Sequence, residues 1–222
     1  FNPRVEFVLK HILYTPQGQT DPWGYLPSTQ MSSMLAAVAN WVATNPSQLA
    51  GIQWDQITVT TKRDLSYFGP IGFAYSGGIC KTTSVSVNAI TKDLILDGAT
   101  TLTHEFGHNL GFTHDGNPAD GTGSCTGGDS IMGPVNGAQE KFSQCSVQQY
   151  NEQAFRAGGI LYFSDHSCLT TPATYCGNGV RETGEDCDCY NNDCAGVDAS
   201  CNGATCRFLA GKVCSPLPDK CC

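Results

Sequence analysis

Three histidines and one glutamate carry the strongest chemical signal in the sequence. They lie in the stretch Thr103-His104-Glu105-Phe106-Gly107-His108-Asn109-Leu110-Gly111-Phe112-Thr113-His114-Asp115. His104 and His108 are four residues apart, so on a helix both imidazoles leave the same face, one turn apart. Two neutral imidazoles at that spacing can grip one cation. Glu105 stands beside the first of them and can take a proton from a metal-bound water. Gly111 lets the chain leave the helix through a conformation that a side chain disfavours. The chain can then fold back and bring in His114 as a third ligand. Three protein ligands leave a fourth position for water, which is the arrangement of a catalytic zinc site. A bare His-Glu-x-x-His recurs by chance, but the same motif with Gly111 and His114 at fixed spacing is far more specific. His11 and His166 stand outside the pattern and read as surface or packing residues.

The elements that must position these groups are partly readable. Residues 98–110 have a helical pattern that Gly111 stops. Residues 28–44 place Met31, Met34, Leu35, Val38 and Trp41 at helical spacing, and Asn45-Pro46 ends that helix. Residues 5–14, 57–61 and 83–90 are β-branched or alternating and read as strands. Residues 15–29 and 116–137 are rich in turn formers and read as loops. Residues 147–157 read as a second long helix. The fold class expected is mixed α/β, a twisted sheet over an active-site helix, followed by a small disulfide-rich segment.

Composition narrows the function classes. Of 222 residues, 40% are hydrophobic and 14% charged, which suits a globular core rather than a disordered chain. The net charge of −8 argues against nucleic acid or an anionic membrane as partner. No apolar run reaches membrane-spanning length. The 13 cysteines are uneven: four precede residue 170 and nine crowd the remainder. That density reads as a disulfide scaffold in an oxidising, extracellular compartment. An odd total implies a cysteine partner beyond this sequence.

With the zinc motif in hand, the chain resembles the metzincin metalloproteases. Ser130-Ile131-Met132-Gly133 is similar to their Met-turn, which implies that Met132 packs beneath the metal without binding it. Asp115, directly after the third histidine, points to the adamalysin or reprolysin branch, which includes ADAM and snake-venom metalloproteinases. The resemblance implies that His104, His108 and His114 hold zinc, that Glu105 is the general base, and that Asp115 supports the fold. Gly72-Phe73-Ala74-Tyr75 looks like the edge strand that holds an extended substrate, as an added strand does. The resemblance further implies disulfides Cys80–Cys168 and Cys125–Cys145.

The stretch from Cys176 resembles the start of a disintegrin domain. There it implies a calcium site formed by Asn178, Glu182, Glu185 and Asp188 with carbonyls of Tyr175 and Val180; hard, anionic oxygen ligands suit calcium. Domains are therefore expected at 1–170, a catalytic domain lacking the family's N-terminal strand and helix, and at 171–222, an incomplete disintegrin-like domain. No Arg-Gly-Asp occurs, so integrin binding is unsupported. The expected function is a secreted zinc endopeptidase, or the ectodomain of a larger precursor, acting on protein or peptide substrates. A pseudoprotease used for binding is the competing reading, and the intact glutamate speaks against it.

Overall fold

A computed structural model of the chain describes residues 5, 7–16, 18–24, 30–61, 71–89, 95–128, 130–134, 141–169, 176, 181, 183–189, 194 and 196–215. It divides into two compact units, Phe1–Thr170 and Thr171–Cys222. Among the described residues, no helix is long and apolar enough to cross a membrane.

The first unit is a mixed α/β layer structure. Helix α1 (Met31–Thr44) buries Met31, Met34, Leu35, Val38 and Val42, one stripe of its surface. Asn45 closes it by donating its side-chain amide to the Trp41 carbonyl at 3.0 Å. The stripe packs on one face of a three-stranded sheet, against Val59, Val85, Val87 and Ala89. Burying each such side chain contributes about 1.5–3 kcal/mol.

The sheet has strand order β1-β3-β2. Strands β1 (Ile57–Thr61) and β3 (Val85–Ala89) run parallel, with Ile57 opposite Val85. Strand β2 (Gly72–Ala74) runs antiparallel to β3, with Gly72 opposite Asn88. All of β3 is buried, including the alternate polar residues Ser86 and Asn88. Its apolar positions belong to the core under α1. Its polar positions share the opposite face with a network from Gln56, whose amide donates to Ser86 Oγ at 2.9 Å and to Asn109 Oδ1 at 3.0 Å. Asn109 is the last residue of helix α2 (Ile95–Asn109), so α2 covers that polar face.

Two expectations fail here. Residues 5–14 are not a strand: the described ones carry no sheet pairing, and Val8, Leu9, Ile12 and Tyr14 are exposed. Strand propensity reflects fit to a neighbouring strand, and no strand lies beside the outer edge of β1 among the described residues. The expected helix at 147–157 is also displaced. Helix α3 spans Gln144–Glu152, capped by Ser143, whose hydroxyl accepts from the Ser146 amide at 3.2 Å. It stops at Gln153, which takes a left-handed conformation with φ 48°. The chain continues into a hairpin, β4 (Ala154–Ala157) and β5 (Ile160–Phe163), turned by Gly158 and Gly159 at φ 58° and 84°. Positive φ at both turn residues matches the twist of a two-residue hairpin.

The second unit is held by disulfides Cys176–Cys206, Cys187–Cys201 and Cys189–Cys194. Its only regular pairing among the described residues is β6 (Cys201–Asn202) with β7 (Arg207–Phe208). Asp198 is buried and accepts from Ser215 Oγ and, at 2.8 Å, from the Ser200 amide. A short chain with little apolar core needs such covalent ties.

Candidate metal centre

Helix α2 delivers the first two histidines, and a glycine cap delivers the third. At its end the Phe112 amide donates to the Gly107 carbonyl at 2.8 Å and the Gly111 amide to the His108 carbonyl at 2.9 Å. This pair of bonds, with Gly111 at φ 94°, is a Schellman cap. A Cβ at Gly111 would stand 3.0 Å from both Phe155 and Ser164, so the turn is closed on its outer side too. The chain reverses and brings His114 back to the helix. Gln149 of α3 holds the approach, accepting from the Thr113 amide at 3.2 Å and donating to Thr113 Oγ1 at 2.9 Å.

The three imidazoles converge, with ring centroids 4.8, 5.1 and 4.9 Å apart. His104 Nδ1 donates to the Ile131 carbonyl at 2.6 Å, and His108 Nδ1 to the Phe112 carbonyl at 2.7 Å. Those bonds fix the tautomer and leave each Nε2 lone pair facing inward. His104 Nε2 lies 3.1 Å from His114 Nε2. Two ligand nitrogens, each about 2.0–2.1 Å from one tetrahedral ion, stand about 3.3–3.4 Å apart, so the cluster fits zinc. Burial lowers the pKa of all three histidines; for His108, with help from its two neighbours' charges, to about 3. Neutral imidazoles are the form that binds metal.

Glu105 is buried on the sheet side of α2, and its carboxyl lies against β2. A Cβ built on Gly72 would collide with Glu105 Oε1 and stand 2.7 Å from its Cδ and Cγ. Only glycine leaves that space. Burial raises the Glu105 carboxyl to about 8. Among the described residues, strand β2 is a sheet edge. The Ala89 amide donates to the Ile71 carbonyl at 2.8 Å, so by alternation the backbone groups of Gly72 and Ala74 face away from β3. Phe73 is partly exposed, and the Tyr75 carbonyl is held inward by Asn109 Nδ2 at 2.9 Å.

Beneath the cluster, Met132 is fully buried, and its sulfur would meet a Cβ on Gly107 at 2.5 Å. The Asp115 amide donates to the Met132 carbonyl at 2.9 Å. Its buried carboxylate accepts from Ser130 Oγ and, at 2.7 Å, from Ser143 Oγ. Asp115 thus joins the Met132 turn to the start of α3. Disulfides Cys80–Cys168 and Cys125–Cys145 lie within this unit.

Several supporting residues carry no motif. Gln56 and Gln149 sit in no recognisable pattern, and Asn109 fills an unspecified position of the histidine motif. His166 is buried, stacks on Tyr150 at 4.9 Å and donates Nε2–H to the Leu110 carbonyl at 3.0 Å, capping α2. Of the six residues expected to hold calcium, Tyr175, Asn178, Val180 and Glu182 lie outside the described residues. Asp188 is buried, with its carboxylate 3.4 Å from Cys206 Sγ. Glu185 clusters with Cys176 and Cys206, but those two form a disulfide and offer no thiolate to a metal.

Comparison with known proteins agrees with this geometry. The reprolysin (M12B) family of zinc metalloproteases matches residues 27–161. The hemorrhagic metalloproteinase-disintegrin-like kaouthiagin of Naja kaouthia is 36% identical over 155 residues, covering 68% of this chain and 37% of that protein. The zinc metalloproteinase-disintegrin-like brevilysin H2a of Gloydius brevicauda is 30% identical over 186 residues, 82% of this chain and 42% of its own length. A disintegrin and metalloproteinase domain-containing protein of Aspergillus fumigatus is 29% identical over 177 residues, 68% of this chain and 22% of its own. The chain thus spans less than half the length of these relatives. It belongs to the reprolysin family of zinc metalloproteases.

Proposed function

We propose that the chain is a secreted zinc endopeptidase that hydrolyses peptide bonds in extracellular proteins, with Glu105 as general base. The observation that carries this reading is the convergence of three imidazoles, with the carboxyl of Glu105, next in sequence to His104, packed against strand β2. His104, His108 and His114 are the residues that hold zinc. Bound there, zinc supplies a Lewis acid that polarises the scissile carbonyl and acidifies water.

The chain's own residues do the rest. The outward backbone groups of Gly72 and Ala74 take an extended peptide as an added strand, which aligns its carbonyl with the cluster. The Glu105 carboxylate accepts the proton of the attacking water and returns it to the leaving amine. Ile131 and Phe112, through their carbonyls, keep His104 and His108 in the ligating tautomer. The disulfides in both units, crowded in the second, support an oxidising, extracellular setting. In the second unit, the acidic residues Glu182, Glu185 and Asp188 support one calcium, on ligand chemistry alone.

Hydrolysis of an unfolded protein substrate tests the reading. Activity should vanish with a zinc chelator and return with added zinc. Glu105→Ala should keep one zinc per chain and lose at least about 10²-fold in rate. Rates above a tenth of the starting value would remove Glu105 from the role.

A further inference from the structure

Glu105 Oε2 is buried and has no hydrogen-bond partner. Among the described residues, Trp23 Nε1, Ser164 Oγ and Asn88 Oδ1 share that condition, and of these Asn88 stands on the strand under Glu105: it is fully buried, and its Nδ2 reaches Ser86 Oγ at 3.4 Å. Leaving a buried polar atom unpaired is costly, so two of them in one small region call for an explanation.

The register places them together. Asn88 is directly opposite Gly72, so both positions project onto the same face of the sheet. The bonded pair is Ala89 with Ile71, which makes Gly72–Asn88 a non-hydrogen-bonded pair, the closer kind, with Cβ positions about 4.5–5.5 Å apart. The Glu105 carboxyl fills the very space a Gly72 Cβ would take. The amide of Asn88, which reaches on the order of 2.5 Å beyond its own Cβ, therefore spans to that carboxyl.

The helix gives the same answer independently. Asn109 sits level with Val85 and Ser86: its Nδ2 donates to the Val85 carbonyl at 3.3 Å, and Gln56 bridges it to Ser86. Glu105 is one helical turn back, about 6 Å; Asn88 is two strand residues on, about 6.8 Å. The two steps arrive side by side.

We propose that Asn88 is the positioning residue of Glu105, its carboxamide hydrogen-bonding the carboxyl across the gap that Gly72 leaves open. The carboxyl oxygen that faces the gap at Gly72 is Oε1, and it is on that side that the carboxamide approaches. A carboxamide has a donor at one end and an acceptor at the other. Turned one way it donates to a carboxylate; turned the other it accepts from a carboxylic acid. It can therefore hold Glu105 both before and after proton transfer, where a hydrocarbon could do neither.

This inference rests on Glu105 being the general base. The test is a double-mutant cycle of Asn88→Leu and Glu105→Ala, with Asn88→Ser in place of the leucine variant should that fail to fold. Asn88→Leu should lower kcat about ten- to a hundredfold, leave KM within about twofold, and keep one zinc per chain. In the Glu105→Ala background, it should lower the residual rate no further. Separately, in chelator-stripped protein, the Tm shifts of the two substitutions should fail to add by about 2 °C or more, as for groups in contact. An Asn88→Leu kcat within about threefold of the starting enzyme, or additive Tm shifts, would overturn the proposal. An inactive starting enzyme, or an active Glu105→Ala, would overturn the peptidase reading itself and this one with it. Active starting enzyme, dead Glu105→Ala and unaffected Asn88→Leu would refute only the role of Asn88.

Discussion

Replacing Gly72 with alanine tests whether Glu105 works from the place it occupies. The added methyl group would overlap Oε1 and stand 2.7 Å from Cδ and Cγ. Comfortable carbon–carbon contact begins near about 3.5 Å, so the carboxyl must retreat by roughly 1 Å. Strand β2 cannot yield instead without breaking its pairing with β3, which includes the bond from Ala89 to Ile71. A misplacement of about 1 Å costs on the order of 10² in rate. We therefore expect kcat of Gly72→Ala to fall about a hundredfold. KM should stay within about threefold, because the new methyl group faces α2 while the outward backbone edge is unchanged. Overpacking of about 1–3 kcal/mol should lower Tm by about 2–10 °C. Zinc content should remain one per chain, since no ligand is touched. A fluorogenic peptide assay gives kcat and KM, and metal analysis gives the stoichiometry. A variant with kcat within threefold of the original would refute the argument, because the carboxyl would then not be where the methyl group lands.

Asp115→Ala should lose about 3–5 kcal/mol in denaturant unfolding, since it strands two hydroxyls that donate to a buried carboxylate; Asp115→Asn, which keeps an acceptor, should lose less than half of that. Burial raises Glu105 from an ordinary value of 4.5 to about 8, so its contribution to the metal-free fold is fully present below pH 4.5 and is lost as pH rises through 8. The histidines' lowered pKa values bend both curves alike, so in thermal unfolding the stability of metal-free wild type relative to Glu105→Gln should decline between pH 5 and 8, by up to a few kcal/mol; parallel curves would contradict it. Removing calcium while leaving zinc in place should speed hydrogen exchange across residues 175–189, by mass action on a site that the unfolded chain lacks. Unchanged exchange there would reduce the acidic cluster to a solvated loop.

The convergence of the three histidines is legible because they lie between residues 104 and 114, where helical period and one glycine settle the geometry. Longer-range consequences are not. The alternation along residues 83–90 identifies a strand, and in isolation it suggests one wet face. Yet Ser86 and Asn88 are fully buried, because α2 brings Asn109 and Glu105 over them. The space at Gly72 likewise depends on register across three elements. Residues 5–14 have the composition of a strand, but pairing needs a neighbour that no local pattern supplies. The end of α3 is not readable, because Gln153 adopts a left-handed conformation that its residue type does not announce. The Gly158-Gly159 pair that follows was the available signal for the hairpin.

The bond between Cys80 and Cys168 joins residues 88 apart and so encircles the metal-binding segment, the Met132 turn and α3. A loop of that length restricts the unfolded chain by about 4.6 kcal/mol on chain-entropy grounds. It also separates the integrity of the molecule from the integrity of its backbone. A single cut in the exposed stretch at residues 116–121 would sever the sequence between helix and turn, yet both halves would stay tethered. Such a nick would be invisible until the disulfides were reduced. A gel run with and without reductant would tell a whole molecule from a wounded one.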